Sequence, residues 1–360
     1  MKRLFTLPEW KRYQRNRQRY QDERQKRAKR LRKRKRSVYA YREIAKRQKR
    51  RPKSTVQIEA PRIFSLVKNP EEMCEFFNRL WQENAQRRRV FLDLSGLTDL
   101  TLDAVTVLIA RVSRSGRTGV QVAGSLPVDP AVRNLLVQTG FFGHVQATLP
   151  WSDEPRGKLY QRTSYAVDPR VAEDLIFRVS RGLLGRDCDA KGVYSTFIEI
   201  MGNTHEHADV EARPGEEAWW AAATFDPATR RGQFAFVDEG VGIFNSVRLR
   251  PVLKGLRALG IKSHAAVFRD MLEGRIPSRT GLRYRGNGMP TIYKRLKAGL
   301  LEGLVVVTND VFADVGRGMF KTVSRGFRGT LLYWEAGEAQ YATTQAVDSK
   351  RLQQNTGAAP

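Results

Sequence analysis

Residues 197–208 read FIEIMGNTHEHA, and residues 236–243 read FVDEGVGI. In the first stretch Glu199, Asn203 and His207 recur every four residues, so a helix stacks them into one polar stripe. Phe197, Ile198, Ile200 and Met201 supply apolar flanks that bury the other sides of that helix. A carboxylate and an amide oxygen one turn apart suit a hard cation that keeps several waters, such as magnesium carried in by nucleotide phosphates. The carboxylate can also orient or deprotonate an attacking hydroxyl or water. In the second stretch, residues 233–237 alternate and are apolar enough for a strand that ends in Asp238. A carboxylate there can accept a hydrogen bond from a ligand amino group. Gly240 and Gly242 lack side chains, so a planar base or a phosphate can approach the backbone closely. Taken alone, D-x-G-x-G is shared by many glycine turns after strands.

A third segment points the same way. Residues 281–290 read GLRYRGNGMP and run into the helix-like TIYKRLKAGL. Gly286 and Gly288 precede the helix start, where free N–H groups face phosphate. Arg279, Arg283 and Arg285 add positive charge, or are simply solvated. Other readings exist for the first stretch too. His205, Glu206, His207 and Asp209 could form a metal cluster, but HEHAD lacks the i, i+4 histidine pair of a helical zinc site and has no cysteine nearby. His207 reads more simply as a packed, hydrogen-bonded histidine, and Glu199 could be a structural helix residue.

The order E-x-x-x-N, D-x-G-x-G, then G-x-G before a helix resembles the GHKL ATPase superfamily of gyrase, the large heat-shock chaperone, histidine kinases and MutL. Asn followed four residues later by His resembles the histidine-kinase and anti-sigma-factor-kinase branch most. The resemblance covers about residues 165–335. It implies a two-layer α/β sandwich that binds ATP and magnesium. It implies that Asn203 ligates the metal, that Glu199 is the general base or polarises it, and that Asp238 binds the adenine amino group. Gly240 and Gly242 would shape the base pocket, Gly286 and Gly288 would line the phosphates, and residues 244–284 would be the lid. Thr330, in RGTLLYW, stands where the family often has a Gly-Thr near the adenine. Met289-Pro290 departs from the Leu-Gly or Leu-Pro of many members. No phosphoacceptor histidine helix is visible upstream, so histidine autophosphorylation is not implied.

Between about residues 57 and 148 the chain alternates strand-like and helix-like segments, which predicts a sheet with helices packed on it. Helices are expected over 70–84 and 130–139, and a strand over 120–123. The stretch RRVFLDLSGLTDLTLDAV resembles the STAS domain of anti-sigma-factor antagonists. Thr101 stands where that family usually has Asp, and Leu102 and Asp103 fall on its hydroxyl pair. Asp103 at a helix start is favoured by the macrodipole and partly mimics a phosphate's charge. The expectation is a domain fixed in one state, not switched by serine phosphorylation, or a docking surface for the ATPase or another protein.

Charge sets the remaining expectation. The chain has 360 residues with 64 Lys+Arg against 37 Asp+Glu, a formal +27, and residues 1–54 alone hold 24 basic and 4 acidic residues. Such a block repels itself and builds no core, so residues 1–56 read as a disordered or conditionally helical arm. Trp10, Tyr13, Tyr20, Tyr39 and Tyr41 interleave with the basic residues and permit stacking on bases. Nucleic acid is the expected partner of residues 1–54, with a solubilising or membrane-surface tail as the alternative. Residues 149–164 read as a linker, 165–336 as the ATP-binding domain and 337–360 as a loose tail. Two cysteines without motif spacing, no long apolar run and no signal core point to a cytoplasmic, reducing setting without a membrane span.

Together these features predict an α/β protein that binds ATP and either hydrolyses it slowly or phosphorylates Ser/Thr under control of its STAS-like domain. A homodimer is in keeping with relatives of this type. The alternative is a non-catalytic nucleic-acid-binding adaptor in which ATP controls only conformation or dimerisation.

Overall fold

The computed structural model describes residues 53–145, 158–162, 167–207, 219–245, 263–275 and 288–341. The described residues from Ser54 onward belong to one compact unit, described below. The basic arm expected over residues 1–56 lies outside the described residues as far as residue 52.

The first part of this unit runs β1 (Lys53–Glu59), β2 (Ile63–Phe64), α1 (Pro70–Ala85), β3 (Arg88–Asp93), β4 (Asp99–Leu100), α2 (Leu102–Thr118), β5 (Val122–Gly124) and α3 (Pro130–Gln138). Strands β1, β3 and β5 neighbour in that order, with β3 and β5 parallel, and β2 pairs β4 in parallel. Pro70 opens α1, where its missing N–H is harmless, and Glu71 and Glu72 complement the positive helix start. Met73, Phe76, Phe77 and Leu80 then fall on one buried face.

The second part runs β6 (Lys158–Arg162), α4 (Pro169–Leu184), α5 (Lys191–His207), β7 (Trp219–Asp226), β8 (Arg231–Asp238), α6 (His264–Leu272), α7 (Gly288–Lys297), β9 (Glu302–Asp314) and β10 (Met319–Ala336). Its five strands form an antiparallel sheet in the order β6-β7-β8-β10-β9. The protein is therefore mixed α/β.

Strand β7 shows how the layers meet. Trp219, Ala221 and Ala223 point into a core shared with α4, α5, α6 and α7, whereas Trp220 and Ala222 point into a core shared with α1 and α2. All five are at most 1% exposed, as expected of a strand covered on both faces. Helices α4–α7 thus cover one face of the five-stranded sheet, and α1 and α2 of the N-terminal part cover the other.

Helix α1 lies along an irregular stretch of β10, where the register with β9 shifts on either side of Phe327. Ser324 donates from its N–H and hydroxyl to Glu71 Oε2 (3.0 and 2.7 Å), and Asn78 Nδ2 donates to the Gly326 carbonyl at 2.5 Å. The Arg328 guanidinium lies 4.0 Å from the Trp81 ring centroid.

Three boundaries move. Residues 158–162, expected in a linker, form edge strand β6, which pairs with β7; Tyr160 anchors it by donating to Asp174 Oδ2 at 2.5 Å. Strand β1 begins at Lys53, inside the expected arm. Residues 337–341, expected to be loose, are docked: Gln340 Nε2 donates to the Gly299 carbonyl, and the buried Tyr341 hydroxyl donates to the Ile176 carbonyl at 3.2 Å. Among the described residues no helix is long and apolar enough to cross a membrane.

Candidate functional site

Helix α5 carries Glu199 and Asn203, and its position is fixed by Phe197. That ring meets Trp334 of β10 at 4.8 Å and Phe234 of β8 at 5.9 Å. Glu199 and Asn203 are half-buried. Helix α7 packs against α5 and begins at Gly288, where a Cβ would stand 2.4 Å from Asn203 Nδ2. Only glycine lets the α7 start approach the amide this closely. Pro290 falls in the first turn of α7, where proline is tolerated. The first-turn N–H groups of α7 therefore lie beside Asn203. Further along α7, burial lowers the pKa of Arg295 and the charge of Glu199 opposes that fall. Arg295 Nη1 is buried without a hydrogen-bond partner among the described residues.

Asp238 ends β8 and stands opposite Thr330 of β10. The Gly240 N–H donates to its Oδ1 at 2.8 Å. Enclosure by protein pushes the Asp238 carboxyl up to about 6, while the Gly240 N–H, the Thr330 hydroxyl and Arg111 pull it down and Glu239 adds to the rise. Asp238 still keeps some solvent exposure.

Two polar residues of β9 shape the turn that follows. The Ile243 N–H donates to Thr308 Oγ1 (3.0 Å), the Phe244 N–H donates to Asn309 Oδ1 (2.9 Å), and Asn309 Nδ2 donates to the Val241 carbonyl (2.9 Å). Asn309 adopts φ 52°, a left-handed conformation that Asn tolerates better than most residues. Gly242 is at φ 79°, and a Cβ there would lie 2.5 Å from Asn309 Oδ1. The turn after Asp238 is thus held by Thr308 and Asn309, with Gly242 seated against Asn309.

The structure brings Asn203 to Gly288, and Asp238 to Gly240 and Thr330; Gly242 meets Asn309, and Glu199 lies one turn from Asn203. Gly286 and the arginines at 279, 283 and 285 lie outside the described residues. The lid expected over 244–284 contains the packed helix α6. There Phe268 is buried, the His264 ring stacks on Phe244 at 4.6 Å, and His264 Nδ1 lies 2.6 Å from Asp310 Oδ1. Sequence reasoning missed Thr308, Asn309, Arg295, Glu239 and Arg111. The signal for the first two was a polar Thr-Asn-Asp inside the apolar strand LVVVTNDVF. Asp103 also needs correction. It is fully buried and accepts from the Leu66 and Val67 N–H groups at 2.7 and 3.2 Å, so it ties a loop to α2 and presents no phosphate-like charge at the surface.

No family model matches the chain, and no curated protein matches it.

Proposed function

We propose that the chain is an ATP-binding protein of the histidine-kinase-like GHKL type, joined to a STAS-like domain. The observations that support this reading are two separate contacts. The residue-288 helix start abuts Asn203, and Asp238 closes a glycine turn opposite Thr330. The fit is chemical as well as topological. A carboxylate at a strand end suits the adenine amino group, and an amide oxygen beside a helix N-terminus suits a metal-phosphate pair.

In this reading Asp238 accepts from the adenine amino group and Thr330 braces it. Gly240 and Gly242 would shape the base pocket, Asn203 would ligate magnesium, and Gly286 and Gly288 would line the phosphates. Magnesium, when bound, supplies charge neutralisation at the phosphate oxygens. Glu199 orients or deprotonates the attacking oxygen, a water in slow hydrolysis or a Ser/Thr hydroxyl in phosphoryl transfer. Packing of α1 and α2 on the sheet supports control through the STAS-like part.

Substituting Glu199→Ala tests the assignment. Phosphate release or label transfer should vanish while MgATP binding persists; undiminished turnover would remove Glu199 from the chemistry. The basic arm favours a second reading, the nucleic-acid-binding adaptor, which predicts ATP binding with no phosphoryl transfer at all.

A further inference from the structure

We propose that Arg111 of α2 is a positioning residue for the nucleotide site: its guanidinium clamps the end of β8 to the middle of β10, so that Asp238 and Thr330 present a fixed edge to the base. This rests on the nucleotide reading above and gives the N-terminal part a specific means of controlling it.

The Arg111 and Glu239 side chains are 3% and 0% exposed, with Arg111 Nη1 3.5 Å from Glu239 Oε1. Arg111 Nη2 donates to the Arg328 carbonyl. Glu239 directly follows Asp238, Arg328 lies two residues before Thr330, and Thr330 is the cross-strand partner of Asp238. One guanidinium therefore holds both members of the pair from behind. Between them lies Gly329 at φ 87°, where a Cβ would stand 2.0 Å from the Asp238 carbonyl oxygen. The end of β8 and the middle of β10 are in close contact there.

Arg111 also lies 5.3 Å from the Phe327 ring, so apolar surface shields the pair. A buried ion pair seldom repays its desolvation as stability, and its best-attested use is to fix a geometry. The charges facing Arg111 are Glu239 and Asp238, which hold it, and Arg114 and Arg328, which oppose it. The charges facing Asp238 are Arg111, which favours its ionised form, and Glu239, which disfavours it. Lysine preserves the charge but cannot span both acceptors with a planar fork.

The experiment titrates ATP with magnesium against the full chain between pH 5.5 and 8.5. It compares wild type, Arg111→Lys, Arg111→Met and the double variant Arg111→Met/Glu239→Leu. Amide hydrogen exchange is followed in parallel over residues 236–244 and 327–332. Arg111→Lys should weaken ATP binding about tenfold and speed exchange in both segments, a size typical of coupling between sites. Arg111→Met should move the pH midpoint of binding upward. The double variant, which removes both charges of the buried pair, should regain the thermal stability that Arg111→Met loses without regaining ATP affinity. Wild-type affinity in the double variant would overturn the clamp, because a merely structural role predicts recovery of both. If the wild type binds no ATP, the nucleotide reading fails, and exchange alone judges the clamp: unchanged protection in Arg111→Lys overturns it.

Discussion

Replacing Asp238 with Asn should make the protein more stable above pH 6 while destroying nucleotide binding. Burial raises the carboxyl from 3.8 to about 6. A group whose folded pKa lies above its unfolded value contributes stability below the unfolded value and loses it as pH rises through the folded one. At about 1.4 kcal/mol per unit, the ionised Asp238 costs on the order of 3 kcal/mol at pH 8 and about half that at pH 5. Asn carries no charge to desolvate. Its amide oxygen can still accept from the Gly240 N–H, and its amide nitrogen can donate to the Thr330 hydroxyl. Urea unfolding, read by the fluorescence of buried Trp219, Trp220 and Trp334, measures the difference at both pH values. The advantage of Asp238→Asn should roughly double between pH 5 and pH 8. An equal advantage at both, or a variant less stable at pH 8, would refute the claim that a desolvated carboxylate is held at this strand end. Stability gained with binding lost is the pattern expected of a functional site.

Gly288→Ala should place a methyl group against the Asn203 amide and weaken MgATP binding by about tenfold, with stability altered by less than about 1 kcal/mol; titration calorimetry and urea unfolding measure the two effects separately. Asp103→Ala should lose about 3 kcal/mol because the buried Leu66 and half-buried Val67 N–H groups lose their acceptor, whereas Asp103→Asn, which keeps one, should lose under about 1 kcal/mol; urea midpoints of the two variants check this. Affinity for single-stranded nucleic acid should fall linearly on a log–log plot against salt and collapse when residues 1–52 are removed, as read by fluorescence anisotropy. A truncated chain that binds as tightly as the full one would move nucleic-acid recognition elsewhere.

The helix over 191–207 and the strand ending at Asp238 were legible because their periodicities differ and each ends in polar residues at fixed spacing. The same holds for α1 and α3, which proline opens at the expected residues. The covered second face was harder to read. The run WWAAA carries that signal, since a strand with one wet face alternates and this one does not. Strand β6 escaped notice because KLYQR has no apolar alternation and gains its order from pairing with β7. Arg111 and Glu239 were invisible for a different reason. They are far apart in sequence, and each alone reads as an ordinary surface charge until the tertiary fold buries both. Asp103 showed the opposite failure: its place at a helix start was readable, but whether it faced solvent or the loop at Leu66 depended on packing that sequence periodicity does not report.

The most direct test is calorimetric titration of ATP, with and without magnesium, into the wild type, Asn203→Ala and Asp238→Asn. The wild type should bind one ATP per site in a magnesium-dependent manner. Asn203→Ala should lose the magnesium dependence along with most of the affinity, and Asp238→Asn should lose binding in either condition. A wild type that binds no ATP, or two variants that bind as the wild type does, would contradict the assignment of this site to a nucleotide.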